Sequence, residues 1–179
     1  MVQRVVVVGA SRGIGLALVR QLHARGDEVI ATCRRPSSEL AALGVEVVDG
    51  VDVTTEAGIA RLCSGLGTRD IHVLIHNAGV LSRETMDDLS IDRIRRQFEV
   101  NALAPLRTIV ALRSRLSPGA KVGILTSRMG SIEDNTSGSM YGGRCEPTFL
   151  RTYRSGRTNP PRPRASPETS PNCSCESLA

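Results

Sequence analysis

The sequence predicts an α/β protein: a doubly wound parallel sheet with helices on both faces. Three observations predict it. Short unbroken apolar runs rich in β-branched residues alternate with segments whose apolar residues recur at helical spacing. A glycine-rich turn, Gly9 to Gly15, lies directly between the first apolar run and the first helical segment. Both patterns stop near Gly142, where the composition changes to Arg, Pro, Ser, Thr and Cys.

Each element follows from a local pattern. Val2 to Val8 is rich in β-branched apolar residues, which suits a strand covered on both faces. Ile14 to Arg25 carries Ile14, Ala17, Leu18 and Leu22 on one helical face, and Gly26 supplies the stop. Glu28 to Cys33 reads as the second strand, Ser38 to Leu43 as a short helix, and Val45 to Val48 as the third strand. Thr54 to Leu66 reads as a helix capped by Thr54 or Thr55, and Ile71 to Ile75 as the fourth strand. Ile91 to Leu116 is a long helical stretch, with Ile94, Phe98, Leu103, Leu106, Val110 and Leu112 expected to face inward. Lys121 to Thr126 is the expected fifth strand. The ordered domain is therefore expected over residues 1–142, with 143–179 as a disordered tail.

The 179 residues allow one domain of ordinary size. The net charge of +5 owes +3 to the tail, where six Arg face Glu146, Glu168 and Glu176. No basic stretch interleaved with aromatic residues accompanies it, so no nucleic-acid partner is expected. Cys33, Cys63, Cys145, Cys173 and Cys175 form no C-x-x-C pair and have no His at metal-ligand spacing, so free thiols and no metal site are expected. His23, His72 and His76 are scattered and carry no evident role. No run has signal-peptide character or membrane-spanning length, and the expectation is a soluble, cytoplasmic protein without a membrane partner.

The turn "GASRGIG" places Gly9, Gly13 and Gly15 between a strand and a helix. Gly9 permits the tight turn. Gly13 and Gly15 let backbone approach a pyrophosphate and let the helix pack on the strand. The free N–H groups of the helix N-terminus, from the Ser11, Arg12, Gly13 and Ile14 region, suit phosphate. The second strand ends "ATCRRP", with no acid between Val29 and Ser38 to hold ribose hydroxyls. Arg34 and Arg35 stand there, with Arg12 in the turn, and guanidinium groups match a 2′-phosphate. The residues therefore predict NADP(H) over NAD(H).

Taken together, these residues resemble the short-chain dehydrogenase/reductase family and its Rossmann fold. The spacing G-x-x-x-G-x-G is that family's form. Asp52-Val53 resembles its adenine-contacting pair. "HNAG", His76 to Gly79, matches its N-N-A-G signature with His in first place, so Asn77, Ala78 and Gly79 join the cofactor candidates. "NALAPL" places Asn101, and "ILTSRMGS" places Ser127, at the family's active-site Asn and Ser. "TSRMGS" followed by Asn135-Thr136, Gly138 and Tyr141 resembles the C-factor-like subgroup.

The resemblance implies hydride transfer between NADPH and a small-molecule carbonyl or alcohol, with Ser polarising the substrate oxygen and Tyr exchanging the proton. A Lys four residues after Tyr lowers the phenol's pKa, which otherwise lies near 10. It also implies a possible homo-oligomer.

The pattern then breaks. In the subgroup's alignment the catalytic Tyr position falls on Gly143 and the Lys position on Pro147. Taking Tyr141 as the base puts Cys145 at the Lys position, and the only lysine of the chain is Lys121. Six of nine prolines lie beyond Gly142 and forbid regular helix through much of that stretch. The expected sheet is therefore incomplete at its C-terminal side. Two origins fit: a frameshift or sequencing error near codon 142, or a divergent terminus with its own role. Three functions remain open: an oxidoreductase with little or no turnover as written, a non-catalytic NADP(H)-binding protein, and a protein-interaction or signalling protein acting through the tail.

Overall fold

The computed structural model describes residues 2–127. Tyr141, the Gly142 boundary and the tail lie outside the described residues. Five parallel strands form one sheet: β1 (Arg4–Val8), β2 (Glu28–Thr32), β3 (Glu46–Val48), β4 (Ile71–His76) and β5 (Leu116–Ile124), in the order β3-β2-β1-β4-β5. Strand order reverses beside β1, whose neighbours are β2 and β4. That reversal opens a crevice at the carboxyl ends of the strands.

The helices are α1 (Gly13–Ala24), α2 (Ser38–Ala41), α3 (Glu56–Leu66), α4 (Ile91–Phe98) and α5 (Ala104–Leu112). A π-helical turn, Glu99–Leu103, joins α4 to α5, and a 3₁₀ turn, Arg113–Arg115, leads into β5. Strand alternation divides β1 between two cores. Val6 and Val8 face one containing Leu62, Leu66, Leu74, Ile109 and Leu112. Val5 and Val7 face the other, with Leu16, Val19, Val29, Ala31 and Leu40. Both faces of β1 are thus covered, as its unbroken valine run requires.

The elements appear in the expected order, with local corrections. β1 begins at Arg4, β2 ends at Thr32 and α2 ends at Ala41. Of the two candidate caps of α3 it is Thr55 that serves, its side chain accepting from the Gly58 N–H at 3.0 Å. β5 starts at Leu116 instead of Lys121 and ends at Ile124. Leu116 therefore leaves the long helix and pairs with Ile71.

The inward face of that helix also differs. Phe98 and Val110 are 42% and 62% exposed, whereas Gln97, Val100, Ala102, Thr108 and Ile109 are buried. The π turn inserts an extra residue into the helical repeat, so spacing counted from Ile94 does not carry through Leu112. Polar Gln97 is buried because it meets a polar partner, described below. Cys33 and Cys63 are free thiols. Among the described residues, no helix is long and apolar enough to cross a membrane.

Candidate functional site

A cleft of about 800 Å³ occupies the crevice at the strand-order reversal. Its floor is the glycine turn. Gly9 has φ +85°, and a Cβ there would come within 2.7 Å of the Ala78 backbone. The Gly9 and Ala10 N–H groups both donate to the Thr32 carbonyl at 3.0 Å, which ties the turn to the end of β2. Asn77 donates its side-chain amide to the Gly9 carbonyl at 2.7 Å, while its own N–H donates to Val8 at 2.8 Å. Ser37 donates its hydroxyl to the Ser11 carbonyl at 2.7 Å and accepts from the Leu40 N–H at 3.1 Å. One hydroxyl thus caps α2 and anchors the glycine turn.

The N-terminus of α1 is bare. Arg12, its N-cap, makes no side-chain capping hydrogen bond, and the first turn has no acidic residue. A Cβ on Gly13 would meet nothing within 4 Å, so this turn faces open space. Such a terminus offers unpaired N–H groups and the positive end of the helix dipole. Gly15 differs from its neighbours in the turn. It does not line the cleft; it is buried where α1 crosses the turn, and a Cβ there would overlap the Gly9 carbonyl and lie 2.5 Å from Asn77 Nδ2.

The far wall carries charge. Arg34 and Arg35 follow β2, and Asp52 follows β3. Asp52 Oδ1 accepts from the Thr54 N–H at 3.0 Å and from the Thr54 hydroxyl at 2.6 Å. Those bonds, aided by the positive charge of Arg34 and Arg96, hold its carboxyl below the usual carboxylate range. Cys33 lines the cleft behind them, and burial with nearby Asp49 pushes its thiol up. On the opposite side, Asn101 lies in the π turn. It donates to the Val80 carbonyl at 2.8 Å and accepts from the Val80 N–H at 2.9 Å.

The sequence of the short chain dehydrogenase family matches residues 3–143. The chain belongs to that family. It is 49% identical over 139 residues to 1-hydroxy-2-glutathionyl-2-methyl-3-butene dehydrogenase of Rhodococcus sp. (strain AD45), a match covering 76% of this chain and 62% of that protein. It is 39% identical over 84 residues to the C-signal protein of Myxococcus xanthus, covering 45% of this chain and 48% of that one. A carbonyl reductase from Pseudomonas aeruginosa PAO1, solved in complex with NADP, superposes with a TM-score of 0.75 at 34% identity, covering 82% of this chain and 68% of that one. The chain thus spans about three fifths of the length of the Rhodococcus relative.

Of these relatives, one is named a dehydrogenase and another is a carbonyl reductase solved with the dinucleotide NADP. The residues present fit such a group: a turn open to solvent at Gly13, an uncapped helix N-terminus, and arginines at the end of β2.

The structure brings nearly all the expected cofactor residues to one cleft. Gly9, Ser11, Arg12, Gly13 and Ile14 come from the turn, Arg34 and Arg35 from the end of β2, Asp52 and Val53 from the end of β3, and Asn77, Ala78 and Gly79 from the end of β4. Gly15 supports the turn from beneath. Asn101 stands behind Val80, and Ser127 is exposed three residues beyond β5, at the limit of the described residues. Sequence reasoning missed Thr54, Arg96 and Val100, which also line the cleft. Arg96 and Val100 are four residues apart and just precede Asn101, a signal that helical spacing could have supplied.

His76, given no role from its position in the chain, is 1% exposed. It sits between Val8 and Ile124 in the sheet, and burial pushes its imidazole down to about 4.

Proposed function

We propose that this chain binds NADP(H) in preference to NAD(H), with the pyrophosphate at the N-terminus of α1 and the 2′-phosphate between Arg34 and Arg35, flanked by Arg12. One observation carries the reading. Among the described residues, Arg12, Arg34 and Arg35 make no ion pair, whereas Arg4, Arg20, Arg25, Arg61 and Arg69 each hold a carboxylate. Guanidinium groups left without carboxylates around a cleft favour a phosphate ligand, which they can grip in bidentate geometry.

A nicotinamide group supplies hydride exchange with a carbonyl or alcohol carbon. The chain's own residues bind and orient. Asn77 fixes the turn beneath the pyrophosphate, and Asn101 fixes the wall at Val80. Ser127 is the hydroxyl proposed to hold the substrate oxygen. Tyr141 is the candidate proton donor, but Cys145 stands four residues after it, where a lysine would lower its pKa. General acid–base catalysis contributes about 10²–10⁴-fold, so cofactor binding is expected to outlast turnover in this chain. The Rhodococcus relative is named for a hydroxylated glutathione conjugate, which makes that substrate class the first to test.

The experiment is titration of the full chain with NADPH and NADH, followed by a turnover assay with a glutathione-conjugated alcohol. NADPH is expected to bind about tenfold tighter or more, the value of one good charge-assisted contact. Equal affinities would overturn the phosphate assignment. Turnover at the rate of an ordinary enzyme, about 10 s⁻¹, would overturn the impaired-catalysis reading.

A further inference from the structure

The cleft holds one arginine more than the phosphate reading uses. On α4, Arg93 pairs with Asp88 at 2.8 Å and Arg95 with Asp92 at 3.3 Å. Arg96, beside them, is exposed and lines the cleft, and no hydrogen bond or ion pair engages it among the described residues. Val100 lies one helical turn further on, buried, on the same face and in the same cleft. The strip after β3, with buried Val51 and Val53 on either side of Asp52, lines the same cleft.

This corner is chemically unlike the Arg34–Arg35 end. A second phosphate would have to sit beside the Asp52 carboxylate, which Thr54 keeps ionised, and among three valines. Repulsion and desolvation both oppose that. A flat heteroaromatic ring with an exocyclic amino group meets no such objection. Its faces suit valine side chains, its amino group can donate to the carboxylate, and a guanidinium stacks well on an aromatic face. Arg96 acts on Asp52 electrostatically, yet forms no ion pair with it within 4.0 Å.

We propose that Arg96 is a binding residue of this cleft that lays its guanidinium over the face of the purine base, with Val100 and Val53 lining the same slot. The inference rests on the dinucleotide reading above. It assigns Arg96 to the base and leaves the ribose phosphate to Arg34 and Arg35. Arg96 therefore adds affinity for adenine nucleotides without choosing between NADP and NAD.

The test is equilibrium binding of NADP⁺, NAD⁺ and AMP to the full chain and to two variants, Arg96→Ala and Arg83→Ala. Arg83 is likewise exposed but stands outside the cleft, so its loss controls for net charge. Arg96→Ala is expected to weaken all three ligands by about 3- to 30-fold, the range for a cation stacked on an aromatic ring. Arg83→Ala should change none of them, and both variants should melt with the parent because both side chains are exposed.

A loss confined to NADP⁺ would make Arg96 a phosphate contact and overturn the proposal. So would a loss that spares AMP, or equal losses from both variants, or no loss from either. If the unaltered chain binds none of the three ligands, the cleft reading itself fails and this inference with it. If the unaltered chain binds NADP⁺ and Arg96→Ala binds it equally well, only this inference fails.

Discussion

Asn101 and Val80 exchange two hydrogen bonds across 21 residues of chain, Nδ2 to the Val80 carbonyl at 2.8 Å and the Val80 N–H to Oδ1 at 2.9 Å. One side chain thus completes both polar groups of a loop residue that has no strand partner. The pairing fixes the segment after β4, and with it the wall of the cleft that Gly79 and Val80 form. Asn101→Leu removes both bonds and leaves part-buried backbone groups unpaired. The expected cost is about 1–3 kcal/mol, read as a lower urea midpoint with unchanged slope. Asn101→Asp keeps only the acceptor and should fall between. A Leu variant as stable as the parent would mean that Val80 finds other partners.

Gly58 invites a second test. It lies in the first turn of α3, and an added Cβ would overlap the Asp52 carbonyl and lie 2.6 Å from Asp52 N. Replacing a helix glycine with alanine usually stabilises by about 1 kcal/mol. Here the sign should reverse, because the obstacle is backbone and cannot swing aside. Gly58→Ala should destabilise the fold and push Asp52 out of the cleft, weakening adenine nucleotides as well. Gly13→Ala is the contrast. It meets nothing within 4 Å, so it should cost only about 1–2 kcal/mol of left-handed backbone strain at φ +57°. A stabilising Gly58→Ala would refute the contact.

His76 gives the fold a pH dependence. It is buried, and its folded pKa of about 4 lies below the 6.5 of an exposed imidazole. Neither ring nitrogen has a hydrogen-bond partner among the described residues. The unfolded chain therefore takes up a proton between those two values while the folded chain does not. Stability should be level above pH 6.5, fall as pH drops toward 4, and flatten below. The full swing is about 3 kcal/mol at this shift. His76→Asn, which restores the residue common in the family's signature, should remove that slope. Glu46 and Asp52 act in a lower window, because their lowered carboxyl values lie below those of the unfolded chain. If the parent and His76→Asn show the same slope between pH 6.5 and 4, His76 is not its source.

The sheet and the glycine turn were legible because each depends on local chemistry. Valine runs and a strand–glycine–helix junction leave few alternatives, and four segments far apart in sequence line one cleft. What was illegible depended on register and on distant partners. The inward face of the helix before Asn101 was misread because a π turn shifts the repeat between Gln97 and Leu112. Thr54 and Arg96 were missed because each matters through Asp52, which lies far from Arg96 in the chain. Gly15 lies within α1, and its close approach to Gly9 and Asn77 required the crossing of α1 over the turn to be seen.

Gln97 makes the same point and supports a last prediction. A glutamine in an amphipathic segment reads as solvent-facing, yet this one is 1% exposed. Its Nε2 donates to Glu84 Oε1 at 2.9 Å and to the Ser82 hydroxyl at 2.6 Å, while its Oε1 accepts from the Ser82 N–H at 3.2 Å. Ser82 in turn donates its hydroxyl to Glu84. The cluster pins the segment between β4 and α4, which also carries Val80 and exposed Arg83. Gln97→Leu fills the space but strips one donor from a buried carboxylate. Hydrogen bonds to charged groups contribute about 1.5–3 kcal/mol, and local opening should become cheaper by a similar amount. Trypsin cleavage after Arg83 reads that opening directly. The variant is expected to be cut there about tenfold faster or more, since 1.4 kcal/mol is a factor of ten in the open population. Cleavage at the parent rate would mean that this segment is held by its backbone alone, and that Gln97 is buried without tethering it.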